Sequence, residues 1–227
     1  MNLCTIITPD WVDKHLIRWL RYAKKNVPGE RFLYYLGPAR NHSFPWLKDE
    51  FKTIIDLPHE GRDQYNFIRM GATEDFGVKE ICYCDADADI IAPIDELEVE
   101  VKEDIAFVPS PSIHSEWTRL CIKNKWNWLD WEANNGFLYM KRDFRNEYAE
   151  AKKELEGQVE KPRISGTMTF NLMVRRIGKA TVLPYNFGVI WWDATGLLGA
   201  KVVQYCNDKG QQKHIMLEEI WRNAHCD

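Results

Sequence analysis

The sequence has no run of about eighteen apolar residues, the length a membrane-spanning helix needs. Its start, "MNLCTIITPDW", has neither the basic opening nor the long apolar core of a secretory leader. It has no internal repeat, no low-complexity tract and no Pro/Gly-rich linker. These absences predict no membrane span, a cytoplasmic protein and one domain over residues 1–227. Nor is there an excess of positive charge: 30 Lys and Arg stand against 34 Asp and Glu, a net charge of -4. That removes bulk attraction to nucleic acid or anionic lipid, so the predicted partner is a small molecule, with any phosphate held by local basic residues. The six cysteines, Cys4, Cys82, Cys84, Cys121, Cys206 and Cys226, are scattered along the chain. They read as reduced core thiols without a disulfide framework, a reading preferred over metal ligation by Cys82 and Cys84.

What is present is an alternation of apolar strands and amphipathic helices. "NLCTIIT" reads as a buried strand, after which Thr8 or Asp10 can cap a helix through "WVDKHLIRWLRYAKKN", stopped by Pro28 and Gly29. "RFLYYLG", "FKTIIDLP" and "KEICYC" read as further strands, with a helix around "RDQYNFIRMGATEDF". "DIAFVPS", "NGFLYMKRD", "ATVLPYNFGVIWW" and "AKVVQYC" are strand-like. "NEYAEAKKELEGQVE", "GTMTFNLMVRRIG" and "HIMLEEIWRNA" read as helices. This order predicts an α/β fold with a mixed, mainly parallel central sheet flanked by helices. In such a sheet ligands bind at the carboxyl ends of the strands.

Asp85 stands at one of those ends, in "EICYCDADADIIAPIDEL". On an extended chain Asp85, Asp87 and Asp89 would share a face and repel one another, a cost that a hard divalent cation offsets. A solvated acidic loop fits poorly, because the run leaves an apolar strand and continues into "IIAPI". A calcium loop would take Asp85, Asp87, Asp89 and Glu96, but Ile90 stands where that loop requires glycine. A haloacid-dehalogenase-like phosphatase also uses a DxD after a strand, though after the first strand of its fold. A non-enzymatic carbohydrate- or Ca2+-binding module is the other alternative.

"ICYCDADADIIAPIDEL" resembles the DxD segment of GT-A fold, nucleotide-sugar glycosyltransferases, in which an apolar strand ends in "YLDxD". Other segments follow in the same order over roughly residues 3 to 210. "TIITPD", with Thr8 and Asp10, resembles the first strand that meets the uracil. "NNGFLYMKRD", with Asn134 and Asn135, resembles the segment that contacts the sugar. "QYCNDKG" resembles the terminal motif of glycosyltransferase families eight and thirty-four; short versions of the fold also occur in large algal viruses. The resemblance implies Mn2+ or Mg2+ on Asp85 and Asp87, a UDP-sugar donor and a carbohydrate or glycoconjugate acceptor. It implies that Arg69 and Lys209 meet the diphosphate, with Asp89 a further metal ligand or a contact to ribose or sugar hydroxyls.

Two departures from the family stand out. The metal-binding histidine falls on Gln204, with His214 a substitute nearby, and the expected carboxylate is missing at Gly166 and Thr167. In "KWNWLDWEANNG", Trp126, Trp128 and Trp131 are open between an acceptor platform and core packing. Asp130, Glu132 and, in "WWDATG", Asp193 are the candidate general bases on an acceptor hydroxyl.

Overall fold

Every residue of β1 (Leu3–Ile7) and β4 (Ile81–Cys84) is buried, and β2 (Arg31–Leu36) is buried from Phe32 onward. Unbroken apolar runs of this kind mark strands covered on both faces. The structure is a computed structural model describing residues 1–38, 43–110, 115–126, 132–159, 164–190 and 199–205. With β3 (Thr53–Leu57), β6 (Ile105–Pro109), β7 (Ala133–Met140) and β8 (Thr181–Val182), these strands form a seven-stranded sheet ordered β3-β2-β1-β4-β7-β6-β8. The pairs β1–β2, β2–β3, β1–β4 and β6–β8 are parallel, while β7 runs antiparallel to both its neighbours.

Alternate residues of each strand feed two cores. Leu3, Leu33, Tyr35, Cys82 and Cys84 pack on one face with Trp19, Leu20 and Ala23 of the helix Ile17–Asn26. Cys4, Phe32, Tyr34, Ile81 and Tyr83 pack on the other with the helices Arg145–Glu156 and Gly166–Ile177, through Tyr148, Leu155, Phe170 and Met173. Each large side chain buried in this way stabilises the fold by roughly 1.5–3 kcal/mol before the cost of ordering it. Ser165 caps the second of these helices by accepting from the Met168 amide, and Gly178 ends it at φ 70°, a left-handed turn that favours glycine.

The first helix departs from its expected form. Pro9–Trp11 opens it, Val12–Leu16 is wound as a π-helix and only Ile17–Asn26 is regular α. Thr8 holds the capping position in extended backbone, but its side chain makes no capping bond. The segment "ATVLPYNFGVIWW", expected as one strand, is broken at Pro184: β8 is followed by a 3-10 turn, Tyr185–Phe187, and by β9 (Val189–Ile190). β9 joins β10 (Val202–Gln204) and β5 (Ala88–Ile90) in a second sheet ordered β5-β10-β9. The last expected helix, "HIMLEEIWRNA", lies outside the described residues. Among the described residues no helix is long and apolar enough to cross a membrane.

Cys4, Cys82, Cys84 and Cys121 are free and buried, and burial pushes all four thiols up. A thiol held protonated and covered is a poor nucleophile. Titration of the native protein with a thiol reagent is therefore expected to consume no more than two of the six cysteines, and reductant should leave the melting temperature unchanged. Four or more fast thiols, or a melting temperature lowered by reductant, would contradict the burial described.

Candidate active site

The parallel strands β1, β2 and β4 deliver their carboxyl ends to one edge of the sheet, where they enclose a cleft of about 560 Å³. One part of its wall is apolar, from Ile6, Ile7, Pro9, Trp11 and Leu36; Arg69, Asp85 and Asp87 supply charge, and His59, Tyr65 and Tyr83 supply ring polar atoms. Thr8 and Asp10 line it as well. A largely apolar concavity with a few convergent polar groups is the usual form of a small-molecule site.

Asp85 follows the last residue of β4 and is fixed there by its own amide, which donates to the Gly136 carbonyl at 2.8 Å. The chain then turns, the Ala88 amide donating to the Asp85 carbonyl at 3.0 Å. This turn ends the extended alternation. Asp85 and Asp87 stay together at the cleft, while Asp89 is carried into the small sheet. There Asp89 is buried, ion-paired with Arg18 of the first helix, and accepts from the Tyr205 hydroxyl at 3.0 Å. The three aspartates therefore do not form one cluster. Among the described residues no group of three or more His, Cys, Asp or Glu is placed to hold a metal ion.

The Asp85 carboxylate has three partners. It accepts from the Tyr83 hydroxyl, lies 3.4 Å from the Arg69 guanidinium and accepts from the Gln204 amide at 3.3 Å. Burial pushes the Tyr83 phenol well up against the pull of Arg69, so it remains a donor. Burial also works against the Arg69 charge, but Tyr83 and Asp85 outweigh it and hold the guanidinium above the ordinary arginine value. Arg69 is the last residue of the helix Arg62–Arg69, lies 4.4 Å over the Tyr83 ring and donates to the Asn135 carbonyl at 2.5 Å. At Asp87, burial, and then the neighbouring Asp85 charge, outweigh a backbone hydrogen bond and push the carboxyl up to about 7.

Gln204 reaches the pair because β10 runs antiparallel to β5, with Gln204 opposite Ala88. Its amide oxygen accepts from Asn134, whose own oxygen accepts from the Gly136 amide at 2.9 Å. Gly136 is required by space: a Cβ there would overlap the Gln204 amide nitrogen and lie 2.7 Å from Asp85. Asn135 donates to Asn66 at 3.0 Å, and Asn66 in turn fills the space a side chain on Gly166 would need. Two neighbouring carboxylates, one of them with its pKa raised to about 7 by burial and like charge, suit a hard divalent cation, while Gln204 turns its amide nitrogen to Asp85 and its oxygen to Asn134. Asp85 and Asp87 would hold it, and Gln204, the expected third ligand, would join them only through the oxygen now taken by Asn134.

Other expected residues stand elsewhere. Glu132 is 1% exposed and is not part of the cleft wall. Trp126 is partly buried, on Trp117 at 5.9 Å and beside Arg175, and packs against the core. Asp130, Asp193, Lys209, His214, Trp128 and Trp131 lie outside the described residues. Tyr83, Tyr65, His59 and Asn66 were not foreseen. Tyr83 had a signal, since it lies two residues before Asp85 on one strand and so shares its face; His59 and Tyr65 had none.

No family model matches the sequence, and no curated protein matches it. Solved structures do. The galactosyltransferase LgtC, in complex with donor and acceptor sugar analogs, superposes with a TM-score of 0.66 at 11% identity, over 92% of this chain and 88% of that one. The bifunctional glycosyltransferase WbbM gives 0.63 at 10% identity, over 92% of this chain and 46% of the larger one. An active-site mutant of LgtC gives 0.60 at 11%, over 91% and 88%. The chain has the GT-A fold, as the order of its segments implied.

The second and third aspartates of "DADAD", Asp87 and Asp89, should respond oppositely to neutralisation. Because the folded pKa of Asp87 is raised to about 7, its ionisation costs stability as pH rises from the ordinary carboxylate range through that value. Asp87→Asn should match the parent at pH 4 and melt higher at pH 8 without divalent cations, by on the order of 1–3 kcal/mol. Asp89→Asn removes the negative member of a buried ion pair and should lower stability at neutral pH by roughly 1–3 kcal/mol. Melting curves across pH in chelator check both; a lower melting temperature for Asp87→Asn at pH 8 would refute the electrostatic account.

Proposed function

We propose that this chain is a cytoplasmic, single-domain glycosyltransferase that moves a sugar from a nucleoside diphosphate sugar, a UDP-sugar, to a carbohydrate or glycoconjugate acceptor with Mn2+ or Mg2+. The observation that carries this reading is the Asp85–Asp87 pair with Gln204 at the carboxyl end of β4, beside a cleft whose wall is largely apolar. Its setting is the fold shared with LgtC and WbbM.

A divalent cation on such a site supplies charge neutralisation to a departing diphosphate without proton transfer. The chain's own residues do the rest. Asp85 and Asp87 would hold the cation, with the Gln204 amide beside them. The apolar wall of Ile6, Ile7, Leu36, Pro9 and Trp11 takes the flat base, and Thr8 and Asp10 give it polar edges to meet. Arg69 brings positive charge to the diphosphate, with Lys209 assigned the same role. Asn134 and Asn135 offer amides to the hydroxyls of the sugar. On this reading the acceptor hydroxyl loses its proton to Asp130 or Asp193, because Glu132 is buried away from the cleft.

Calorimetric titration with UDP, with and without Mn2+, tests the reading. Mn2+-dependent UDP binding is expected, together with release of UDP from UDP-sugars. Asp87→Asn keeps the side chain's volume and should fold while losing at least ~10-fold in metal affinity or turnover, the lower end of the effect of disturbing a metal site. Phosphate release from simple phosphomonoesters without UDP binding would favour the phosphatase instead. Sugar binding without any nucleotide requirement would favour a carbohydrate-binding module.

A further inference from the structure

We propose that Tyr83 is a positioning residue for Asp85: its buried hydroxyl, acting with the Arg69 guanidinium, holds one carboxylate oxygen and leaves the other directed to Gln204. This rests on the reading of Asp85 and Asp87 as a cation site. Tyr83 donates to Oδ1 of Asp85, and Arg69 stands 3.4 Å from the same oxygen; Gln204 donates to Oδ2 at 3.3 Å. The two oxygens are thus distinguished, and the side chain is held to one orientation.

The holder is itself rigid. Tyr83 is 1% exposed and sits mid-sheet, paired with Cys4 of β1 on one side and Leu138 of β7 on the other. Its ring cannot follow a wandering carboxylate, so the carboxylate must come to it. Arg69 is equally constrained, donating to the Tyr65 carbonyl at 3.3 Å and the Asn135 carbonyl at 2.5 Å while covering the Tyr83 ring. Asp85 lies just beyond the last residue of β4, where the ladder no longer sets its side chain. A free aspartate samples several rotamers, and a cation pays to select one of them. The Tyr83 hydroxyl makes that selection in advance.

Tyr83→Phe removes one oxygen and leaves the ring. Tyr139→Phe is the control, since Tyr139 is also buried, also donates to a carboxylate, Glu80, and lies away from the cleft. Mn2+ affinity is measured without nucleotide, by electron paramagnetic resonance of the free ion, alongside melting curves. Tyr83→Phe is expected to fold and to bind Mn2+ about 10-fold more weakly or worse, the effect of losing a group that orients a metal ligand, whereas Tyr139→Phe should bind as the parent does. Turnover lost by Tyr83→Phe should return at high Mn2+, which a merely structural defect would not permit. Parent-like Mn2+ affinity in Tyr83→Phe, an equal loss in Tyr139→Phe, or failure of Tyr83→Phe to fold would each overturn the assignment while leaving the cation site intact. A parent protein that binds no Mn2+ would overturn both.

Discussion

Two carboxylates forced together at the end of a buried strand set the terms for everything around them. Asp85 is held by its own amide and by three side-chain partners, and the turn that follows leaves Asp87 beside it with its proton retained up to about pH 7. A fold keeps such a repulsion only where the remaining packing over-determines it. Here that packing is the doubly covered sheet: two apolar cores grip β4 from its two faces, and β1 and β7 grip it from its edges.

The strands and most helices were legible because burial on two faces needs only unbroken apolar runs, and those runs were long. The DxD pair was legible for a different reason, since like charges leaving a core are costly unless something offsets them. Gln204 was placed through the family's motif order, and β10 delivers it to Asp85. Asp89 was misplaced because alternation was carried one step too far: a single turn at Ala86 and Asp87 sends it to Arg18, which no pattern within the motif could announce. Trp126 shows a common fate of a large aromatic, which is to pack partly buried against a core. The broken late strand carried its own warning in Pro184.

Identity of 10–11% alongside TM-scores of 0.60–0.66 follows from what each level of structure demands. Cores accept many apolar combinations of the right volume and pattern, so the sheet survives wide change in sequence. The head of the sheet is less forgiving. Gly136 can carry no side chain without meeting Gln204 and Asp85, and Gly166 cedes its space to Asn66.

Two contacts that complete the site are remote in the chain. Asp85 meets Gln204 across 119 residues and Gln204 meets Asn134 across 70; in the small sheet Arg18 meets Tyr205 across 187. Closing such loops costs entropy that only the completed core returns. No hairpin or isolated helix of this protein contains the site in miniature, and a chain halted before β10 would have the aspartates without the amide that meets them. Assembly of the site around Asp85 and completion of the tertiary structure are one event.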